Sequence, residues 1–290
     1  MGIQRKRRDV TMQDKFTVAD FRKAKNDRKI TMLTAYDYPT AKIIDDAGVD
    51  SILVGDSLGM VVLGYEDTVK VTMEDMIHHS KAVVRGTKHA LVITDMPFLS
   101  YHTGKYESVR NAGRLMAEGG CGAIKLEGGE AIVEDVEAII SAGIPVIGHL
   151  GYTPQSINLF GGHKAQGKSY ETAEKILKDA LALQKAGVFS IVLECIPYKL
   201  AEVITKRLDI PTIGIGAGPH CDGQVLVTPD ITGMFKGIER KHSKKYANLA
   251  DTIENCAKEY INDINEGLFP TNKNSFIVDD EIIEKLEKSF

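Results

Sequence analysis

Ala123-Ile-Lys-Leu-Glu127 decides the fold: a short, almost wholly apolar run that closes on a carboxylate. The same design recurs at Ser51-Ile-Leu-Val-Gly-Asp56, Ala90-Leu-Val-Ile-Thr-Asp95 and Ser190-Ile-Val-Leu-Glu194, while Pro145-Val-Ile-Gly-His149 closes on histidine. Val/Ile/Leu runs of this length suit strands of a parallel sheet buried on both faces, and the closing acid falls where α/β enzymes place their chemistry.

Between the runs lie stretches with helical spacing: Thr40–Ala47, Thr72–Arg85, Tyr106–Glu118, Ala131–Ser141, Glu171–Lys185 and Lys199–Arg207. Thr72, with Asp75 three residues on, has the signature of an N-cap. Several helices end in glycine (Gly48, Gly120, Gly143, Gly187) just before the next strand, as a left-handed cap requires. Adding Ile30–Ala35, Pro211–Ile215 and Val225–Thr228 brings the strands to eight. Eight alternations predict an α/β protein folded as a closed (β/α)₈ barrel rather than an open doubly wound sheet, and such a barrel takes about 250 residues. The chain has 290.

One unit is short. The link from Gly216 to Gln224 falls below the roughly dozen residues of a crossover helix, so the seventh helix is expected to be vestigial. The expected organisation is an N-terminal extension over residues 1–28 with a short helix capped by Thr17, a barrel over 29–270 that includes a long helix within Lys245–Gly267, and a tail over 271–290.

With 36 basic and 40 acidic residues well mixed and a net charge of −4, the chain gives no reason to expect nucleic acid or an anionic membrane as partner. The default ligand is a small molecule. Cys121, Cys195, Cys221 and Cys256 form no C-x-x-C pair, which argues against a zinc knuckle or a disulfide framework and for a reduced, cytoplasmic setting. The basic start is followed by polar residues rather than an apolar run, so no secretory signal is expected, and no stretch approaches membrane-spanning length.

A (β/α)₈ barrel gathers its strand ends at one mouth, so Asp56, Asp95, Glu127, His149 and Glu194 should converge there. Lys125 and Glu127, two apart on one strand, face the same way. Two carboxylates about 4 Å apart repel by roughly 4 kcal/mol at an effective dielectric of about 20. Positive charge must offset this: Lys125 supplies one unit, and a divalent cation is the other source. Asp and Glu oxygens without a cysteine pair select a hard ion, Mg²⁺ first. The loop Gly151–Gly167 is long and rich in glycine and amides, as lids and binding loops are; His163 lies within it, and Ile157, Leu159 and Phe160 need packing partners. His78 and His79 read as surface residues of a helix.

The blocks Thr34-Ala-Tyr-Asp-Tyr38, Leu53-Val-Gly-Asp-Ser-Leu-Gly-Met60, Asp95-Met-Pro-Phe98, Lys125-Leu-Glu-Gly-Gly129, Gly148-His-Leu-Gly-Tyr-Thr-Pro-Gln155, Leu193-Glu-Cys195, Ile213-Gly-Ile-Gly-Ala-Gly218 and Asp222-Gly-Gln-Val-Leu-Val227 resemble, in order, the ketopantoate hydroxymethyltransferase family. That resemblance implies a barrel of the phosphoenolpyruvate/pyruvate type, a homodecamer, and hydroxymethyl transfer from 5,10-methylenetetrahydrofolate to 3-methyl-2-oxobutanoate for pantothenate and coenzyme A. It further implies that Asp56 and Asp95 hold Mg²⁺ with Glu127 in the metal shell through water. By the same resemblance Ser57 and Lys125 bind the oxo acid together with the metal-bearing Asp56 and Asp95, His149 lies beside it, and Glu194, apart from the metal cluster, is the general base. A Mg²⁺-dependent barrel aldolase or lyase acting on another 2-oxo acid is the rival expectation.

Overall fold

A computed structural model describes residues 15–162, 164–237 and 240–290. Eight parallel strands close in sequence order: β1 (Ile30–Thr34), β2 (Ser51–Val54), β3 (Leu91–Asp95), β4 (Ala123–Glu127), β5 (Val146–Gly151), β6 (Ser190–Glu194), β7 (Thr212–Ile215) and β8 (Gly223–Leu226), with β8 pairing back onto β1. The expected barrel is the one observed.

Alternation along each strand divides the apolar residues into two cores. Ile30, Met32, Leu53, Ile93, Ala123, Ile147, Val192, Ile213 and Val225 point inward and fill the barrel. Their neighbours Ile52, Val92, Ile124, Val146 and Ile191 point outward and pack beneath the helices. Burial on both faces is why the runs read as unbroken hydrophobic sequence.

Local signals placed most helices. Thr17 and Thr72 each close a capping box, on helices Val18–Lys23 and Met73–Gly86. No helix separates β7 from β8, as the short link required. Asp37 caps helix Tyr38–Asp46, which starts two residues before its expected Thr40. Two short elements carried no readable period: helix Leu58–Val61 after β2, and the turn Pro154–Ser156 running into helix Ile157–Phe160 after β5. In that loop Phe160 packs at 5.9 Å from the Tyr152 ring, whereas Leu159 is 85% exposed. His163 lies outside the described residues.

The N-terminal helix has a role its sequence did not announce. Phe21 enters the lower end of the barrel, fully buried, and meets Phe189 edge-on at 5.2 Å.

By contact density the chain divides into two compact units, 1–230 with 239–244, and 231–238 with 245–290. The second holds helices Leu249–Asn265 and Asp280–Ser289, whose residues are all at least partly exposed. No helix among the described residues is long and apolar enough to cross a membrane.

Candidate active site

Register brings the polar strand ends together. Asp95 pairs with Lys125 across β3–β4, Glu127 with His149 across β4–β5, and Gly151 with Glu194 across β5–β6. Each of these side chains sits one pleat above the inward apolar layer, so the barrel ends in a charged mouth. Asp56, Asp95, Lys125, Glu127 and His149 are at most 4% exposed. The Glu194 side chain keeps 17% of its surface. All six, with Ser57, line one cavity of about 420 Å³, within the range that takes a whole small-molecule ligand.

Lys125 Nζ stands 3.1 Å from Asp95 Oδ1, 3.8 Å from Glu127 Oε1 and 3.1 Å from His149 Nδ1. The backbone N–H of Asp56 donates to Asp95 Oδ2 at 3.1 Å. His149 spans two acids, with Nδ1 3.2 Å from Glu127 Oε1 and Nε2 3.2 Å from Glu194 Oε2. One imidazole thus links Glu194 to Glu127, while among the described residues no hydrogen bond or ion pair joins Glu194 to Asp56 or Asp95.

The charges do not balance: three fully buried carboxylates share one lysine and one imidazole. Burial, then the charges of Asp95 and Glu127, push the Asp56 carboxyl well above its ordinary range. Burial also raises Asp95, against the opposing pull of Lys125. Burial pushes Glu127 up, but the contacts with His149, Lys125 and the Gln155 N–H together outweigh it and leave the carboxyl lowered. Burial and the Lys125 charge resist protonation of His149, yet the contacts with Glu127 and Glu194 raise it to about 9. Asp95 Oδ1, Glu127 Oε1 and His149 Nε2 are buried without an aligned hydrogen-bond partner among the described residues.

Four unforeseen residues support these groups. Tyr36 Oη lies 2.9 Å from Ser57 Oγ, and His79, read as a surface residue, bonds the Tyr36 carbonyl through Nδ1 at 2.6 Å. Gln155 Nε2 donates to Asp56 Oδ2 at 2.8 Å, and its backbone N–H donates to Glu127 Oε2 at 3.0 Å. Tyr101 accepts the Glu127 N–H at 3.1 Å. Tyr36 and Gln155 stand within the motif blocks; Tyr101 carried no signal.

Backbone geometry beside Glu194 is equally specified. Gly151 has φ +95°, and a Cβ there would lie 2.2 Å from the Glu194 carbonyl oxygen. Tyr152 N–H donates to that oxygen at 2.8 Å, so only glycine lets β5 pass so near. Cys195, the next residue, holds φ +49°, a strained value for a side-chain-bearing residue. It lines the cavity, and burial raises its thiol to about 11, which leaves it protonated.

Among the described residues no three His, Cys, Asp or Glu side chains are arranged as a ready metal cage. Mg²⁺ does not demand one, since it is held by one or two carboxylates with waters and substrate oxygens. The Asp56 oxygen that Gln155 does not hold has no hydrogen bond among the described residues, and the unaligned Asp95 Oδ1 is buried nearby. The uncompensated negative charge and the oxygen donors fit such an ion.

Fold and mouth together define the class: a (β/α)₈-barrel enzyme whose carboxylate, lysine and histidine centre sits at the C-terminal ends of its strands. A family model described as ketopantoate hydroxymethyltransferase matches residues 15–272, and the chain belongs to that family. It is 72% identical over 278 residues to a protein of Acetivibrio thermocellus named 3-methyl-2-oxobutanoate hydroxymethyltransferase, covering 96% of this chain and 98% of that protein. A protein of the same name from Clostridium novyi is 56% identical over 273 residues, covering 94% of this chain and 99% of that one. The crystal structure of 2,3-dimethylmalate lyase, a PEP mutase/isocitrate lyase superfamily member, shares the fold at TM-score 0.57 and 16% identity, covering 97% of this chain and 100% of that chain.

Proposed function

We propose that this chain transfers a hydroxymethyl group from 5,10-methylenetetrahydrofolate to 3-methyl-2-oxobutanoate, giving 2-dehydropantoate for pantothenate and coenzyme A, as a cytoplasmic homodecamer. The observation that carries this reading is the buried excess of carboxylate over cation at the mouth. Asp56 and Asp95 would hold Mg²⁺, with Glu127 reaching it through water. The bound ion would act as a Lewis acid toward the keto and carboxylate oxygens of the oxo acid.

The chain's own residues do the rest. Lys125, held protonated by Asp95 and Glu127 against its burial, presents its ammonium to the same substrate oxygens, where negative charge develops as the C3 proton leaves. Ser57, anchored by Tyr36, supplies a hydroxyl at the cavity wall. Glu194 accepts the C3 proton: it is the most exposed of the four acids, and only one of its oxygens faces His149.

The second substrate needs space and counter-charge. Lys164 and Lys241 line the outer cavity, exposed and without an ion pair among the described residues, and they suit the carboxylates of a folate. Assembly is supported by apolar side chains that a single chain leaves bare, Phe276, Ile277 and Phe290 being 106%, 93% and 107% exposed.

The test is solvent deuterium exchange at C3 of 3-methyl-2-oxobutanoate, with and without Mg²⁺. Exchange that requires the ion but not the folate is expected, followed by product formation only when methylenetetrahydrofolate is added. Turnover of pyruvate with a free aldehyde, without folate, would overturn the assignment.

A further inference from the structure

We propose that Gln155 is a positioning residue that locks two of the mouth's carboxylates, Asp56 and Glu127, into the geometry a divalent cation needs, and ties the loop after β5 to them. The metal half of this inference rests on the reading of Asp56 and Asp95 above; the loop half does not.

The partners of the amide fix which way it points. Gln155 is 7% exposed, so its polar atoms must find partners within the protein. Nε2 lies 2.9 Å from the Met96 carbonyl, which only accepts, so the NH₂ faces it, and the second N–H donates to Asp56 Oδ2 at 2.8 Å. Oε1 then faces Tyr101 Oη at 2.7 Å. The Tyr101 hydroxyl already accepts the Glu127 N–H at 3.1 Å, which leaves its one proton to donate. At 2.7 Å the Gln155 oxygen takes that proton in preference to the Glu127 carbonyl at 3.2 Å. The chain of bonds has one consistent direction, and the reverse orientation of the amide would set oxygen against oxygen at Met96.

Its reach is wide for one residue. The backbone N–H of Gln155 holds Glu127 Oε2, while its side chain holds Asp56, 99 positions away in the chain, and the Met96 carbonyl, 59 positions away. Through Tyr101, itself 1% exposed, it is braced on the loop after β3. Strand ends β2 and β4 and the loops after β3 and β5 therefore meet at one amide. By occupying one oxygen of Asp56 the bond aims the other into the cavity, and outer partners of ligating carboxylates commonly set their orientation.

Gln155→Met keeps length and volume and removes both donors and the acceptor. The variant is expected to stay folded but with a lowered thermal midpoint, because the Met96 carbonyl and the Tyr101 hydroxyl lose their partner, and to bind Mn²⁺, used as the probe, about 10- to 100-fold more weakly than the wild type. Saturating Mn²⁺ should restore C3 exchange, because the residue acts through the ion's seat and not on the substrate. Tyr101→Phe removes only the brace and is expected to weaken Mn²⁺ binding less. The double variant should be no worse than Gln155→Met alone, as members of one chain of bonds require. In metal-free protein, amide hydrogen exchange at Gln155 should rise in Tyr101→Phe.

A folded Gln155→Met with Mn²⁺ affinity within twofold of wild type would falsify the positioning role. If that variant fails to fold, Tyr101→Phe decides by the same readouts, and unchanged affinity with unchanged amide exchange overturns the proposal. If the wild type takes up no Mn²⁺, the metal reading fails instead, and amide exchange alone decides whether Gln155 holds the loop.

Discussion

Asp222 and Glu127 are both buried carboxylates, 8% and 4% exposed, at opposite ends of one barrel. Below β8, Asp222 Oδ2 receives Lys25 Nζ at 3.0 Å and the Thr212 N–H at 2.8 Å. Nearby at the same end, Asp45 accepts the backbone N–H groups of Lys88 and Ala90 at 2.8 Å each. Among the described residues neither acid leaves a buried oxygen without a partner, and the plug beside them, Phe21 against Phe189, is wholly apolar. At the mouth, by contrast, Asp95 Oδ1 and Glu127 Oε1 lack aligned donors, and the Asp56 carboxyl is forced upward by its neighbours. A buried acid with all its partners holds the chain together; one left short of partners is held ready for something that the chain does not supply. One end of the barrel is built for stability, the other for chemistry.

That contrast can be broken from either end. The largest effect is expected for Glu194→Gln, which removes the base but not the fold: C3 proton exchange should fall about 10²–10⁴-fold, with the thermal midpoint and Mn²⁺ binding unchanged. Undiminished exchange would remove Glu194 from its role. At the other end, Phe21→Ala should lower stability by about 3–5 kcal/mol in urea titration, while activity per folded molecule holds. Should activity fall and stability stay, the division between the ends is wrong.

The smallest effect is one of pH. His149 is raised from 6.5 to about 9 in the folded protein, so the native state holds a proton that the unfolded chain releases. Its contribution to stability is full below about pH 6.5 and is lost as pH rises through about 9. NMR titration of the ring should give the raised value, and His149→Gln should flatten the stability profile across that window. A ring that titrates at or below 6.5 would show that Glu127 and Glu194 do not hold its proton.

Much of this was legible along the chain, for identifiable reasons. Buried parallel strands need continuous apolar runs, so the strands could be counted, and Thr17 and Thr72 act on N–H groups three residues away. Asp56, Asp95, Lys125, Glu127, His149 and Glu194 were readable because each ends or nearly ends a strand. Helix Leu58–Val61 and the turn at Pro154 were missed because one turn is too short to show a period. Tyr101 and Gln155 escaped for another reason: a neutral side chain in a loop advertises nothing about a partner 54 positions away.

The order of strands, the two-sided burial and the chemical types gathered at the mouth were determined by sequence alone, since each follows from periodicity or from position at a strand's end. Which oxygen meets which donor was decided only in three dimensions. Register set Glu127 beside His149, closure brought Glu194 to the same imidazole, and the loop after β5 folded back so that one amide could hold Asp56. Such contacts depend on distances of a few tenths of an ångström between segments far apart in the chain, and no local pattern encodes them.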